Sequence, residues 1–253
     1  MDPRPIDLNA DMAERADEAG WAADAGLLEV VTSANVACAG HAGDEETMRR
    51  ACAAAAALGV RVGAHPGYAD RENFGRVEPG LPAAEVLEQV AGQLEALREA
   101  AGSEGAAVTH VKPHGALYHR AATDRELAAG LAALIAATDR SLAVLTQPGS
   151  ALAGEAADLG LPTAAEGFAD RAYTSEGLLV PRSEPGSVLE PEAAVAQALM
   201  LAREGRLVSA GGEPIEAAAD SICVHGDTPG AVALAAQIRE ALAREGIEVR
   251  AFA

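Results

Sequence analysis

The stretch Val60-Arg61-Val62-Gly63-Ala64-His65-Pro66-Gly67-Tyr68 sets the frame for the whole chain. Its β-branched, apolar start predicts a short strand over Val60–Ala64, and the Pro-Gly pair after His65 turns the backbone away. An imidazole is thereby delivered where a strand ends. The same syntax recurs along the chain. A run over Ala107–Val111 ends at Lys112-Pro113-His114-Gly115, and one over Ser221–Val224 ends at His225-Gly226-Asp227-Thr228-Pro229-Gly230. Another, Val31–Val36, carries Asn35 and leads to Cys38 and His41-Ala42-Gly43-Asp44. Candidate strands at Pro5–Leu8, Leu142–Leu145 and Pro162–Ala165 complete the set. The first runs into Asn9 and Asp11, the last into Glu166 and Asp170.

Between these runs lie amphipathic Ala/Leu/Glu segments that predict helices over Ala23–Leu28, Asp44–Leu58, Ala83–Gly102, Asp124–Ala137, Ser150–Leu159, Pro191–Glu204 and Thr228–Glu245. In the third, Val86, Val90 and Leu94 share one face, with Gln93, Glu95 and Arg98 on the other. Asp44 reads as an N-cap, Thr228 or Asp227 as another, and Thr123 with Glu126 as a capping box. A small hairpin is expected from Arg206–Val208 and Pro214–Glu216 around Gly211-Gly212.

Alternating β and α units predict a parallel sheet with crossover helices. An open sheet would use only the strands beside one switch crevice. Here nearly every strand brings a polar group to the same end, which predicts a closed (β/α) barrel with its site on that rim. Seven strands make it an irregular seven-stranded barrel. The Pro/Gly-rich spots at Glu78–Pro82, Glu184–Gly186 and Gly211–Pro214 are isolated turns, so residues 1–253 are expected to form a single domain.

Composition narrows the function. The 253 residues are 49% hydrophobic and 23% charged, as in a globular protein, and with only 3% aromatics the interior must be filled by Ala, Leu and Val. The formal charge of −19 argues against nucleic acid and anionic membrane as partners. Met1–Ala10 has neither a basic nor an apolar targeting region, and Ala51–Val60 is too short to span a bilayer, so a cytoplasmic protein is expected. Cys38, Cys52 and Cys223 lack metal or CxxC spacing and read as buried small residues in a reducing compartment. There is no P-loop string and no GxGxxG after a strand; a nucleotide would have to use the helix starts after His41, Lys112 and His225.

Lys112 is the sole lysine of the chain and sits inside a histidine-containing motif. Asp11, His41, His65 and His225 are candidate ligands for a divalent ion such as Mg2+. Without an HxH or HExxH pair, direct hydrogen bonding and proton transfer by the same groups is the competing reading. His110 and His119 lack the motif setting and are assigned to structure.

The strings Asp7-Leu8-Asn9-Ala10-Asp11, Ser33-Ala34-Asn35-Val36-Ala37-Cys38, His41-Ala42-Gly43-Asp44, Gly63-Ala64-His65-Pro66-Gly67-Tyr68, Asn73-Phe74-Gly75-Arg76 and Val111-Lys112-Pro113-His114-Gly115-Ala116-Leu117-Tyr118 resemble the LamB/YcsF family of 5-oxoprolinase A subunits. So do Phe168-Ala169-Asp170-Arg171-Ala172-Tyr173, Leu179-Val180-Pro181-Arg182 and Ile222-Cys223-Val224-His225-Gly226-Asp227, in family order. The resemblance implies a glycoside hydrolase/deacetylase-like barrel. It also implies a part in ATP-dependent opening of 5-oxoproline to glutamate, with subunits B and C as partners. Two departures stand out. Ala13 replaces a glycine before Glu14, and Cys38-Ala39-Gly40-His41 stands where the family has Cys-Gly-Phe-His, a lost aromatic expected to alter pocket shape.

For that chemistry residue type and position assign the roles. Lys112, aided by Arg76 or Arg182, is the expected phosphate or carboxylate clamp, and Asp11 the base acting on water. His41, His65, His114 and His225 are the polarising or proton-transfer groups. Asn9, Asn35, Tyr68, Arg76, Asp170, Arg182 and Asp227 are the expected substrate-binding residues. Two rivals stand beside this reading: a metal-dependent amidohydrolase or deacetylase-like enzyme acting alone, and a non-catalytic substrate-binding partner. The sequence is also compatible with a homo-oligomer.

Overall fold

The computed structural model describes residues 4–226 and 230–253. Seven parallel strands close into a barrel in the order β1 (Asp7–Met12), β2 (Ser33–Ala37), β3 (Arg61–His65), β4 (Val108–Val111), β5 (Ala143–Thr146), β6 (Thr163–Phe168) and β9 (Ser221–Val224), with β9 hydrogen-bonded back to β1. The expected hairpin forms outside the barrel, β7 (Arg206–Val208) pairing antiparallel with β8 (Pro214–Glu216).

Side chains alternate across each barrel strand. In β1, Leu8, Ala10 and Met12 join the hydrophobic core, while Asp7, Asn9 and Asp11 bond across the interior to Ser33, Asn35 and neighbouring groups. The interior is therefore polar and layered. At its lowest layer Asp7 accepts from Thr32 Oγ1 at 2.6 Å, from Ser33 Oγ at 2.7 Å and from Ser221 Oγ. Above it, Asn9 Nδ2 donates to Ser221 Oγ at 2.6 Å and Asn35 Nδ2 donates to Asn9 Oδ1 at 2.7 Å. His110 Nε2 donates to Asn35 Oδ1 at 2.9 Å. His110 thus fills the barrel, and a Cβ on Gly63 would stand 2.0 Å from its Nε2.

The helices are α1 (Glu18–Leu28), α2 (Glu45–Leu58), α3 (Ala83–Ser103), α4 (Gly115–Thr123), α5 (Arg125–Thr138), α6 (Ala151–Asp158), α7 (Pro191–Glu204) and α8 (Ala231–Arg244). None among the described residues is long and apolar enough to cross a membrane. Asp44 caps α2 as expected, accepting from Thr47 N at 2.8 Å within a full capping box.

Several expectations need correction. β1 extends to Met12, because polar residues at alternate positions face a hydrogen-bonded barrel interior rather than ending the strand. Asn9 and Asp11 therefore sit within β1, and likewise His65 within β3 and Glu166 within β6 rather than after them, while Asn35 lies in β2 as expected. Helix α4 was not expected: its nine residues follow His114 directly. The Thr123 cap is replaced by Asp124, which ends α4 and caps α5 by accepting from Leu127 N at 3.1 Å. Gln93 is buried rather than exposed on α3, its amide bonded to the backbone N and O of Gly67. The Asp227 and Thr228 assignments lie outside the described residues.

A long connection, residues 169–190, crosses from β6 to α7 over the barrel mouth. It is stapled by short bridges pairing Arg171 with Val188 and Tyr173 with Leu179. The Arg171 guanidinium donates to Ser187 O at 3.1 Å and Val180 O at 2.6 Å. From α7, Gln197 Nε2 donates to the carbonyls of Phe168 and Arg171, both at 2.8 Å.

Candidate active site

The C-terminal ends of the barrel strands surround a cavity of about 510 Å³. Asp11, His65, Lys112, His114 and His225 line it with Glu14, Tyr118, Phe168 and Arg171, and Arg76 and Arg182 with them. Residues from β1, β3 and β6 and from the segments after β4, β6 and β9 thus meet in one place.

Lys112 is the hub. Its Nζ lies 2.8 Å from Asp11 Oδ1, 2.8 Å from Glu166 Oε1 and 3.2 Å from Cys223 Sγ. The contact with Glu166 is an ion pair; neither Glu166 oxygen has a well-angled hydrogen bond. Burial works against the Lys112 charge, but Asp11 and Glu166 outweigh it and hold the amine well above its usual range. Burial likewise opposes ionisation of Asp11, and His65 with Lys112 overrides it, keeping the carboxyl well below the usual carboxylate range. Burial raises the Cys223 thiol well above its ordinary value, which makes it a packed neighbour of the ammonium and no thiolate nucleophile.

Beside this hub stand three imidazoles. His65 Nδ1 donates to the Lys112 carbonyl at 2.8 Å, and its Nε2 lies 3.3 Å from Asp11 Oδ2 and 3.0 Å from His114 Nδ1. His114 Nε2 donates to Phe74 O at 2.9 Å. His41 stacks behind His114 with centroids 3.6 Å apart and planes at 3°. Burial, then the neighbouring imidazoles, push His114 well below its ordinary value; burial and then His65 bring His41 to about 3. Both rings are neutral bases at physiological pH. Opposite them, His225 Nδ1 lies 2.8 Å from Asp170 Oδ1, which fixes the ring against the wall.

The expected residues thus separate into two groups. Asp11, His65, Lys112, His114, His225, Arg76 and Arg182 reach the cavity. Asn9 and Asn35 do not: both are fully buried below it, and act on it through Asp11, whose Oδ1 accepts from Asn35 Nδ2 at 2.9 Å. His41 supports His114 from behind. Asp170 lies behind His225, and Tyr68 turns into the core beside Arg120. Glu14, Glu166 and Phe168 were absent from the expected set. Glu14 approaches His41 Nε2 at 3.4 Å and His114 Nδ1 at 3.6 Å, and its signal was the acidic residue three positions after Asp11. His119, assigned to structure, also lines the wall. In the altered string before His41, a Cβ on Gly40 would meet Gln93 Oε1 at 2.3 Å, the same glutamine that braces Gly67.

Two sets among the described residues bring ligand atoms within 4.8 Å of one another: Asp11, Glu14, His65 and His114, and Asp11, Cys223 and His225; of the expected ligands His41 is in neither.

The sequence model of the LamB/YcsF family matches residues 6–253. The chain belongs to the LamB/YcsF family. This LamB/YcsF protein is 50% identical over 249 residues to the A subunit of 5-oxoprolinase from Streptomyces griseus, covering 98% of this chain and 100% of that one. It is 46% identical over 251 residues to that of Neisseria meningitidis serogroup C, covering 98% and 100%. Among solved structures it is similar to the lactam utilization protein of Thermus thermophilus, with a TM-score of 0.90 and 41% identity over 98% of this chain and 100% of that one. At 13% identity and a TM-score of 0.56, a putative cellobiose-phosphate cleavage protein of Enterococcus faecalis V583 shares the fold alone. A deacetylase at 14% and 0.50 does the same, in keeping with the expected deacetylase-like barrel.

Proposed function

We propose that this LamB/YcsF protein is one component of an ATP-dependent 5-oxoprolinase, the A chain of a cytoplasmic complex whose B and C subunits join it in opening 5-oxoproline to glutamate. The observation that carries the reading is near-full-length identity of 50% to a protein named for that activity, in a chain whose buried acids and imidazoles converge on one cavity. That this relative is named as one lettered component of an enzyme supports partner chains, and similarity to a lactam utilization protein supports a cyclic amide substrate.

A lactam resists water because its amide is resonance-stabilised. Transfer of the γ-phosphoryl group of ATP to the lactam oxygen, with ADP leaving, makes the ring carbon electrophilic. One water adds there, the C–N bond breaks as the nitrogen takes a proton, and a second water hydrolyses the acyl phosphate to glutamate and phosphate. The cavity supplies the parts such a sequence needs. Arg76 and Arg182 give the mouth positive charge for the substrate carboxylate or a phosphate, against an acidic floor of Asp11, Glu14 and Glu166. Asp11, kept ionised by His65 and Lys112, is the base that orients water. His225, aligned by Asp170, is the group that hands a proton to the leaving nitrogen. Lys112 is already held by two carboxylates, so its role is to keep Asp11 charged and placed rather than to clamp a free anion.

The test is glutamate formation from 5-oxoproline and ATP by this chain alone and then with B and C subunits added. Activity is expected only with the subunits together, and His225→Asn should lower it by about 100-fold with the fold intact by circular dichroism. Ring opening by the chain alone without ATP would replace this reading with a self-sufficient hydrolase.

A further inference from the structure

Two histidines in the cavity have their protons fixed by backbone carbonyls. A carbonyl oxygen only accepts, so His65 must carry its proton on Nδ1, toward Lys112 O, and His114 must carry its proton on Nε2, toward Phe74 O. In the neutral rings the remaining nitrogens, His65 Nε2 and His114 Nδ1, hold lone pairs, and they face each other at 3.0 Å. Two carboxylates join them: Asp11 Oδ2 stands 3.3 Å from His65 Nε2, and Glu14 Oε1 stands 3.6 Å from His114 Nδ1. In that form two imidazole nitrogens and two carboxylate oxygens converge on one point.

We infer that these four atoms form a binding site for one divalent transition-metal ion, of which Zn2+ is the best match. Ligands about 2.0–2.1 Å from a central zinc stand about 3.3 Å apart at a tetrahedral angle; three of the separations here are 3.0, 3.3 and 3.6 Å, and all four atoms lie within 4.8 Å of one another. Two imidazoles with two carboxylates favour Zn2+ over Mg2+, which prefers oxygen ligands and water. The outer contacts agree independently. Metal-bound histidines characteristically give their second N–H to a carbonyl or carboxylate, as both do here. One of those carbonyls belongs to Phe74, a non-glycine residue held at φ +56°, and the next residue, Gly75 at φ +63°, has no room for a Cβ against His41. The backbone is held in a costly conformation at the point where it orients His114. All four ligands line the same cavity, so an ion has an open path to them. The site lies in the proposed lactam-opening cavity, yet it stands on side-chain geometry and does not depend on that activity.

Isothermal titration of the chelator-treated chain with Zn2+ is the direct test, and one ion per chain is expected. Asp11→Asn and His114→Ala should each weaken binding by about 100-fold or more, whereas His119→Gln, outside the four, should leave it unchanged. No saturable binding by the wild-type chain, or equal affinity in the His114→Ala chain, overturns the site. Should either variant fail to fold, the wild type loaded with Mn2+ decides it by pulsed paramagnetic resonance. Coupling to two imidazole nitrogens is required, and its absence refutes the assignment. Zinc bound as described without ATP-dependent ring opening in the complex would sink the lactam reading alone; ring opening by a chain that binds no ion would sink this one alone.

Discussion

Ala39 sits at φ +63°, in the left-handed region where an L side chain costs about 1 kcal/mol. Ala39→Gly relieves that strain and loses part of the gain to unfolded-chain entropy, about 0.4–1 kcal/mol. The expected net effect is a rise in melting temperature of about 1–2 °C by calorimetry. Gly43→Ala should do the reverse and more, since its Cβ would stand 2.7 Å from Ala13 O at φ +75°. Asp24 reports on pH. Burial raises its carboxyl to about 6, against the backbone N–H of Ala13 that it accepts at 2.9 Å. A raised carboxyl binds its proton more tightly in the folded state, so the associated stability is complete below pH 3.8 and is lost as pH climbs through 6. Asp24→Asn removes that dependence. The unfolding free energy of the variant relative to wild type should rise by about 2 kcal/mol between about pH 4 and pH 7, measured by denaturant titration. A pH-independent difference would mean that Asp24 ionises without cost.

At the scale of elements, the connection over the mouth depends on α7. Gln197 holds its first residues through the carbonyls of Phe168, Ala169 and Arg171. Gln197→Met keeps the volume but strips those buried carbonyls of their donor, a loss of about 1–3 kcal/mol. Amide hydrogen exchange should accelerate in residues 169–190 while β1 and β4 stay protected. Uniform acceleration would mean the connection is not separately cooperative. Elements were legible to different depths. β3 and α2 could be read closely, because a β-branched run and an Asp44 cap are local signals. Helix α4 was hidden, because His114-Gly115 reads as a turn and the helix is packed into place by Gly115 against the Gly75 carbonyl, a contact between distant segments.

Across the whole molecule, Lys112 ties β1, β6 and β9 to the end of β4 through Asp11, Glu166 and Cys223. Removing one member of a buried charge network leaves the others uncompensated, at about 3–5 kcal/mol. Lys112→Met should therefore lower stability by that amount as well as activity by at least about tenfold. Adding Glu166→Gln to it should restore part of the stability but not the activity, by urea titration and glutamate assay. Simple additivity of the two would argue against the network.

The alternation of short apolar runs with amphipathic segments, the Pro-Gly turn after His65 and the motif strings are local facts, written in the order of residues, and they were enough to determine a seven-stranded β/α barrel, its family and the rim on which chemistry gathers. Which of those side chains meet was decided by barrel closure. Strand stagger sets depth, so Asn9 and Asn35 end below the cavity while Asp11, two residues further along β1, reaches it. Glu14 entered the site, and Asp170 took its place behind His225, through contacts spanning tens of residues, and no linear spacing encodes such distances.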